Sequence, residues 1–231
     1  MKIKIKNRII DSDHPPFIIA EAGTNHNGKL KIAKKMVFEA KIAGADAIKF
    51  QTFKASDFLL KNSPNFKTVS KLELSFNEFM ELSDYCKSQK IIFCSTPMSE
   101  EGVNFLNKLH VPFFKISSGD LTHLPLLKFI ASKNKPILLS IGMGLTNEIN
   151  NAIKQILSEK NKKIILMHSV SGYPTPIEQA NLNAIISLKK KFKFQIGFSD
   201  NGPGILVPLI AASLGATIIE KHFTLDNKMK G

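Results

Sequence analysis

The chain has 231 residues, 43% of them apolar, and a formal net charge of +13. That length and composition suit a soluble globular protein with a sizeable core, in one large domain or at most two small ones. The lysines are scattered rather than gathered into one run with interleaved aromatics, which speaks against nucleic acid as the partner. Lysine-rich solvated helix faces account for most of the charge and leave a few lysines for an anionic substrate.

Taken in chain order, the opening Met1-Lys-Ile-Lys-Ile-Lys alternates charged and apolar residues and has no continuous apolar core of a signal peptide. Residues 1–16 are expected to form a small hairpin, built on Ile3 to Ile10, that caps the bottom of a barrel. Eight short apolar runs come next: Phe17–Ala20, Ala47–Phe50, Ile91–Cys94, Phe113–Ile116, Ile137–Ser140, Ile164–Met167, Gln195–Phe198 and Thr217–Glu220. Between them lie amphipathic stretches, among them 30–43, 76–90, 124–133 and 148–158. In the first, Ile32, Met36, Ala40 and Ala43 recur at helical spacing. Strands alternating with helices imply parallel βαβ units, and eight of them predict a (β/α)8 TIM barrel over residues 17–231. A doubly wound open sheet is the alternative, because periodicity does not show closure.

The longest mostly apolar stretch, 205–219, contains Pro208, Ser213, Gly215 and Thr217 and is shorter than the roughly 20 residues that span a bilayer. No membrane partner and a cytoplasmic location are expected. Cys86 and Cys94 sit in no CxxC or Cys/His cluster, so two reduced core thiols are expected. Only Lys221–Gly231 come after the eighth run, which reads as a barrel with its last helix truncated.

In such a barrel chemistry sits at the C-terminal strand ends. There the sequence places Glu21 to Gly28, Gln51-Thr52, Ser95-Thr96-Pro97, Ser117 to Asp120, His168 to Pro176, Ser199-Asp200-Asn201 and Glu220-Lys221-His222. Lys49 and Lys115 fall inside strands, flanked by apolar residues. A lysine there is costly to bury unless an anion or a carboxylate compensates it. The compensating group is either a side chain such as Glu21 or Asp120, or a bound anion met by both lysines with Thr96, Ser118 and Ser199. His222 reads equally as a satisfied core histidine or as a ligand. A Schiff-base lyase would also use a strand lysine such as Lys115.

The segments IIAEAGTNHNG, ADAIKFQTF, IIFCSTP, FFKISSGDLTHLPLL, ILLSIGMG, MHSVSGYPTP, GFSDN and IIEKHFTLD occur in the order found in the sialic acid synthase family. The resemblance spans almost all of residues 17–227 and takes in the N-acetylneuraminate, legionaminic acid and pseudaminic acid synthases. It implies a TIM-barrel transferase that condenses phosphoenolpyruvate with an N-acetylated hexosamine, giving a nine-carbon sialic-acid-type sugar and phosphate for cell-surface polysaccharide. It also implies a divalent metal, manganese first and magnesium second, that polarises the sugar aldehyde.

Position by position, the resemblance implies that Lys49 and Lys115 hold the carboxylate and phosphate of phosphoenolpyruvate, with Thr96, Ser118 and Ser199 as donors. Ser171 stands on the same side, where some members have asparagine. Glu21 would manage protons near the metal-bound water. Gln51 and Tyr173 face the amino sugar, and so does Asp120, in place of the usual glutamate. His222 is the expected catalytic metal ligand. Its partner in the family is the histidine of Ser-Asp-His, and this chain has Asn201 there. The C-terminal antifreeze-like domain of the family, which reaches into a partner's site across a dimer, is expected to be absent. A homodimer and a separately encoded C-terminal partner are the protein partners that the resemblance leaves open. The alternative is a catalytically impaired pseudoenzyme that retains phosphoenolpyruvate binding.

Overall fold

The structure, a computed structural model, describes residues 2–229. It opens with β1 (Ile3–Ile5) and β2 (Arg8–Ile10), an antiparallel pair in which Ile3 faces Ile10 and Ile5 faces Arg8. Then come β3 (Phe17–Gly23), α1 (Leu30–Ile42), β4 (Ala47–Thr52), α2 (Phe66–Ser70), α3 (Phe76–Ser88), β5 (Ile92–Pro97) and α4 (Glu100–Lys108). The chain continues with β6 (Phe114–Ile116), α5 (Leu124–Ala131), β7 (Ile137–Ser140), α6 (Thr146–Ser158) and β8 (Ile164–Ser169). It ends with α7 (Asn183–Phe192), β9 (Gln195–Asp200), α8 (Leu206–Ser213) and β10 (Ile218–His222). The strand–helix alternation expected from the sequence is therefore present.

Two compact units divide the chain: Met1–Ile19 with Pro112–Lys221, and Ala20–Val111 with His222–Gly231. In the first, the strand order is β3-β10-β9-β8-β7-β6, with β3 contributing its opening residues. The pairings among β6, β7, β8, β9 and β10 are parallel. Strands covered on both faces read as near-continuous apolar runs, and Ile164, Ile165, Leu166 and Met167 of β8 are all fully buried. Each such side chain contributes about 1.5–3 kcal/mol by leaving water. The hairpin buries Ile3, Ile5 and Ile10, and Ile3 shares a small cavity with Ile164 and Gln195, at the N-terminal ends of β8 and β9. Phe17 and Phe113 meet edge to face at 6.1 Å.

In the second unit the order is β5-β4-β3, with β4 and β5 parallel. An aromatic cluster fills the space outside these strands: Phe93 packs on Phe50 and Phe79, and Phe76 stacks on Phe105 at 4.2 Å. Ser75 and Glu78 close a capping box that starts α3, and Ser99 caps α4. Cys86 and Cys94 are buried thiols that form no disulfide. Burial pushes the Cys86 thiol up to about 12, which keeps it protonated and inert. Among the described residues no helix is long and apolar enough to cross a membrane.

Several strands run past the apolar stretches that announce them. β3 continues to Gly23, β5 to Pro97, β8 to Ser169, β9 to Asp200 and β10 to His222. An apolar run marks where both faces meet core, whereas the strand ends where ladder hydrogen bonds stop. The difference places Glu21, Thr96 and Ser199 within strands instead of just after them. The short helix α2 leaves no mark in the periodicity.

Candidate active site

In the second unit the register of β4 and β5 sets Lys49 beside Cys94 and Gln51 beside Thr96. Side chains alternate along a strand, so Lys49 and Gln51 share one face. Lys49 Nζ lies 2.7 Å from Glu21 Oε2 and donates to Thr96 Oγ1 at 3.3 Å. All three are buried, Lys49 at 4% exposure and Glu21 and Thr96 at 2%. Of the two candidate carboxylates, Lys49 therefore has Glu21. Gln51 stands near the same carboxylate: a Cβ added at Gly23 (φ +54°) would lie 3.4 Å from Glu21 Oε1 and 3.8 Å from Gln51 Nε2.

The turn after β3 is held rigidly. Gly28 has φ +67°, and a Cβ there would meet Lys71 O at 2.0 Å, so only glycine fits. Its N–H donates to His26 Nδ1 at 3.1 Å. That bond makes Nδ1 an acceptor and places the ring proton on Nε2, which is buried without a hydrogen-bond partner. Burial pulls the His26 imidazole down to about 4, against a smaller opposing pull from Glu78. Thr224 Oγ1 donates to Asn25 Oδ1 at 2.6 Å, and Phe223 N–H to Glu21 O at 3.2 Å, tying the segment after β10 to this turn. His222, at the end of β10, is exposed.

The first unit holds the other group. Lys115 on β6, 4% exposed, is paired with Glu220 on β10, Nζ to Oε1 3.1 Å, and not with Asp120. Asp120 instead accepts from Ser117 Oγ at 2.6 Å across a short 3-10 turn. Ser199, opposite Glu220 in the β9–β10 register, donates to the same Oε1 at 2.7 Å. With its proton given to Glu220, Ser199 meets a ligand as an acceptor until that bond is exchanged. Gly142 marks a close approach. A Cβ there would lie 2.8 Å from Ser118 Oγ and 3.0 Å from Ser171 Oγ, so both hydroxyls point into the space a side chain would fill. A cavity beside it is lined by Gly142, Gly144, Ser169, Ser171, Gln179 and Lys191. Tyr173 is 73% exposed.

Asn201 comes directly after β9 and is knitted to the loop after β8. Its Nδ2 donates to Val170 O at 2.8 Å and to Ser169 Oγ at 3.4 Å, and its backbone oxygen accepts from Thr175 N–H at 3.1 Å. Asp200 accepts from Gly202 N–H at 2.9 Å and pairs with Lys221 at 2.6 Å, which holds the loop from the other side. With the amide nitrogen committed, Oδ1 is left buried without a hydrogen-bond partner. Among the described residues no cluster of three or more His, Cys, Asp or Glu side chains is arranged to hold a metal. Asn201 Oδ1 is the kind of oxygen donor that a hard divalent ion accepts.

Residues 36–231 match the NeuB family. The chain belongs to the NeuB family. Among its relatives, an uncharacterised protein of Methanocaldococcus jannaschii is 50% identical over all of this chain and 68% of its own length. The N,N'-diacetyllegionaminic acid synthase of Campylobacter jejuni is 44% identical over 93% of this chain and 69% of its own. The crystal structure of the N-acetylneuraminic acid (sialic acid) synthetase of Leptospira borgpetersenii superposes with a TM-score of 0.95 at 38% identity, over 100% of this chain and 81% of that one. Relatives of this NeuB chain thus include sialic-acid-type synthases. Its fold class is the α/β (β/α)8 class expected from the sequence. It spans about two thirds of the length of these curated relatives.

The structure adds residues to which sequence reasoning assigned no role. Glu220 is one, although an internal lysine demands a carboxylate and that demand was the available signal. Ser140, 3% exposed, is the last residue of β7 and another buried hydroxyl at a strand end. His26 gave no signal, since a histidine in a polar turn is ordinary until its burial is seen.

Proposed function

We propose that this NeuB-family chain condenses phosphoenolpyruvate with an N-acetylated hexosamine, forming a nine-carbon sialic-acid-type sugar and releasing phosphate. The observation that carries the proposal is the pair of buried lysines inside strands, Lys49 of β4 and Lys115 of β6, each with hydroxyl neighbours in its own unit. Fixed positive charge out of water is what a trianionic substrate requires. Lys115, Ser118, Ser171 and Ser199 are assigned to the phosphate, and Lys49 with Thr96 to the carboxylate. Gln51, Asp120 and Tyr173 are assigned to the sugar.

In the reaction the enol carbon attacks the open-chain aldehyde, water adds to C2, and phosphate leaves by C–O cleavage. Glu21, held by Lys49, accepts the proton from the attacking water. The lysines stabilise charge on the phosphate as it departs. Asn201 and His222 would hold a divalent cation, manganese first or magnesium, which supplies Lewis-acid polarisation of the aldehyde. Met143, Leu145, Tyr173 and Ile177 stand 53–73% exposed in the loops after β7 and β8, consistent with cover from a C-terminal domain or a second subunit. A cytoplasmic location accords with these substrates.

A second reading rests on Asn201. Its amide acts as a structural tie between two loops, as it would in an impaired enzyme that retains only phosphoenolpyruvate binding. Phosphate release with manganese and a panel of N-acetylated hexosamines, from wild type and Asn201→His side by side, separates the two. Sugar-dependent release by the wild type supports the synthase. Release by Asn201→His alone supports the impaired copy. Release by neither, with no phosphoenolpyruvate bound, defeats both.

A further inference from the structure

Glu220 is a buried group in the first unit that the proposed reaction leaves without work. It is 3% exposed, and one oxygen, Oε1, meets both Lys115 Nζ at 3.1 Å and Ser199 Oγ at 2.7 Å. The β9–β10 register fixes this meeting, since Ser199 and Glu220 are direct partners and Ser169 stands opposite Ser199 on β8. The carboxylate therefore occupies two groups that a phosphate ester would also use. We propose that Glu220 is a built-in counter-anion that holds Lys115 and Ser199 ready in the empty site and is displaced from them by a phosphate dianion.

The physical reasons are two. A buried lysine with no counter-charge is strongly disfavoured, so an empty site needs an internal anion to keep Lys115 charged and in place. The same anion opposes any ligand that approaches, and Coulomb attraction scales with ligand charge. A dianionic phosphate outcompetes the carboxylate for Lys115, and a monoanionic carboxylate does not. Glu220 is thus a positioning residue that also sets specificity: it raises the charge a ligand must carry before Lys115 is released to it. Ser199 moves with Lys115, because transfer of its hydrogen bond from Glu220 to phosphate exchanges one anionic acceptor for another.

The inference rests on the proposed function for the identity of the natural ligand, and the test separates the two. Binding of inorganic phosphate, phosphoenolpyruvate and pyruvate is measured by calorimetry with chelator present, on wild type and Glu220→Gln. The glutamine keeps the shape and can still accept from Ser199 but carries no charge. The expected result is phosphate binding tightened about tenfold or more in Glu220→Gln, the size expected on removing one like charge from a partly dry site. Pyruvate gains measurable binding, and phosphate raises the melting temperature more than it does for wild type. Phosphate binding that is unchanged or weaker in Glu220→Gln overturns the inference, even if phosphoenolpyruvate binds wild type and the function stands. Tighter phosphate with no phosphoenolpyruvate binding in either protein keeps the inference and removes the function. If neither ligand binds either protein, both fall. Should Glu220→Gln fail to fold, Glu220→Asp, which draws the carboxylate back from Lys115, is expected to tighten phosphate by a smaller factor, and no gain there counts against the inference equally.

Discussion

Glu21 Oε2 and Lys49 Nζ stand 2.7 Å apart with side chains 2% and 4% exposed. Removing one member of such a pair takes a close counter-charge from a buried charge, whereas replacing both with apolar side chains removes the two charges together. Glu21→Gln is therefore expected to lower stability by about 3–5 kcal/mol. The double variant Glu21→Met/Lys49→Met should recover most of that loss while binding no phosphoenolpyruvate. Urea unfolding of the single and double variants, with ligand calorimetry alongside, checks both halves. Additive losses in the double variant would contradict the pairing.

Gly142 offers a test of the hydroxyl pair. The atoms a new methyl group would meet are the side-chain oxygens of Ser118 and Ser171, at 2.8 and 3.0 Å, and also Ser169 O at 3.1 Å. The two hydroxyls are free to rotate away, so Gly142→Ala is expected to fold with a stability loss of about 1–2 kcal/mol. Phosphate affinity should fall by more than tenfold, because both donors are turned from the ligand. A variant that binds phosphate as wild type does would show that the convergence is incidental.

His26 makes the fold sensitive to acid. Its imidazole titrates near 4 in the folded state against the ordinary 6.5, so the unfolded chain binds the extra proton between those values. The stabilising effect of burying the neutral ring is fully present above pH 6.5 and is lost as pH falls towards about 4. The loss approaches about 3 kcal/mol. His168, also lowered by burial, adds in the same direction. His26→Gln is expected to flatten the dependence of unfolding free energy on pH between 7 and 4. An unchanged slope would assign the acid sensitivity elsewhere.

Asn201 Oδ1 is expected to matter to a bound cation beyond its role as a loop tie. Asn201→Ala removes both, whereas Asn201→Asp keeps an oxygen at the position and adds charge. Manganese titrations followed by the resonance of the free ion should show affinity lowered tenfold or more in the alanine variant and held or raised in the aspartate variant. Equal affinities in all three proteins would remove Asn201 from the ligand set.

Much of this protein was legible in its residues. Apolar runs recurring along the chain announced the eight parallel strands, because a strand covered on both faces is nearly continuously apolar. The position of Lys49 and Lys115 inside those runs announced buried positive charge, since a charged side chain is costly there unless it is compensated. What the residues left open was the identity of each counter-charge. Glu21 and Asp120 were both available, and Glu220 lies 105 positions from Lys115, a separation that no local pattern spans. Strand order and register made that choice: β9 beside β10 puts Ser199 on Glu220, and the carboxylate then reaches Lys115. The strand ends, the commitment of the Asn201 amide to Val170 and the burial of His26 were settled in the same way. Periodicity along a chain records which faces avoid water. Pairing between distant polar groups depends on which strands become neighbours, and only the folded chain decides that.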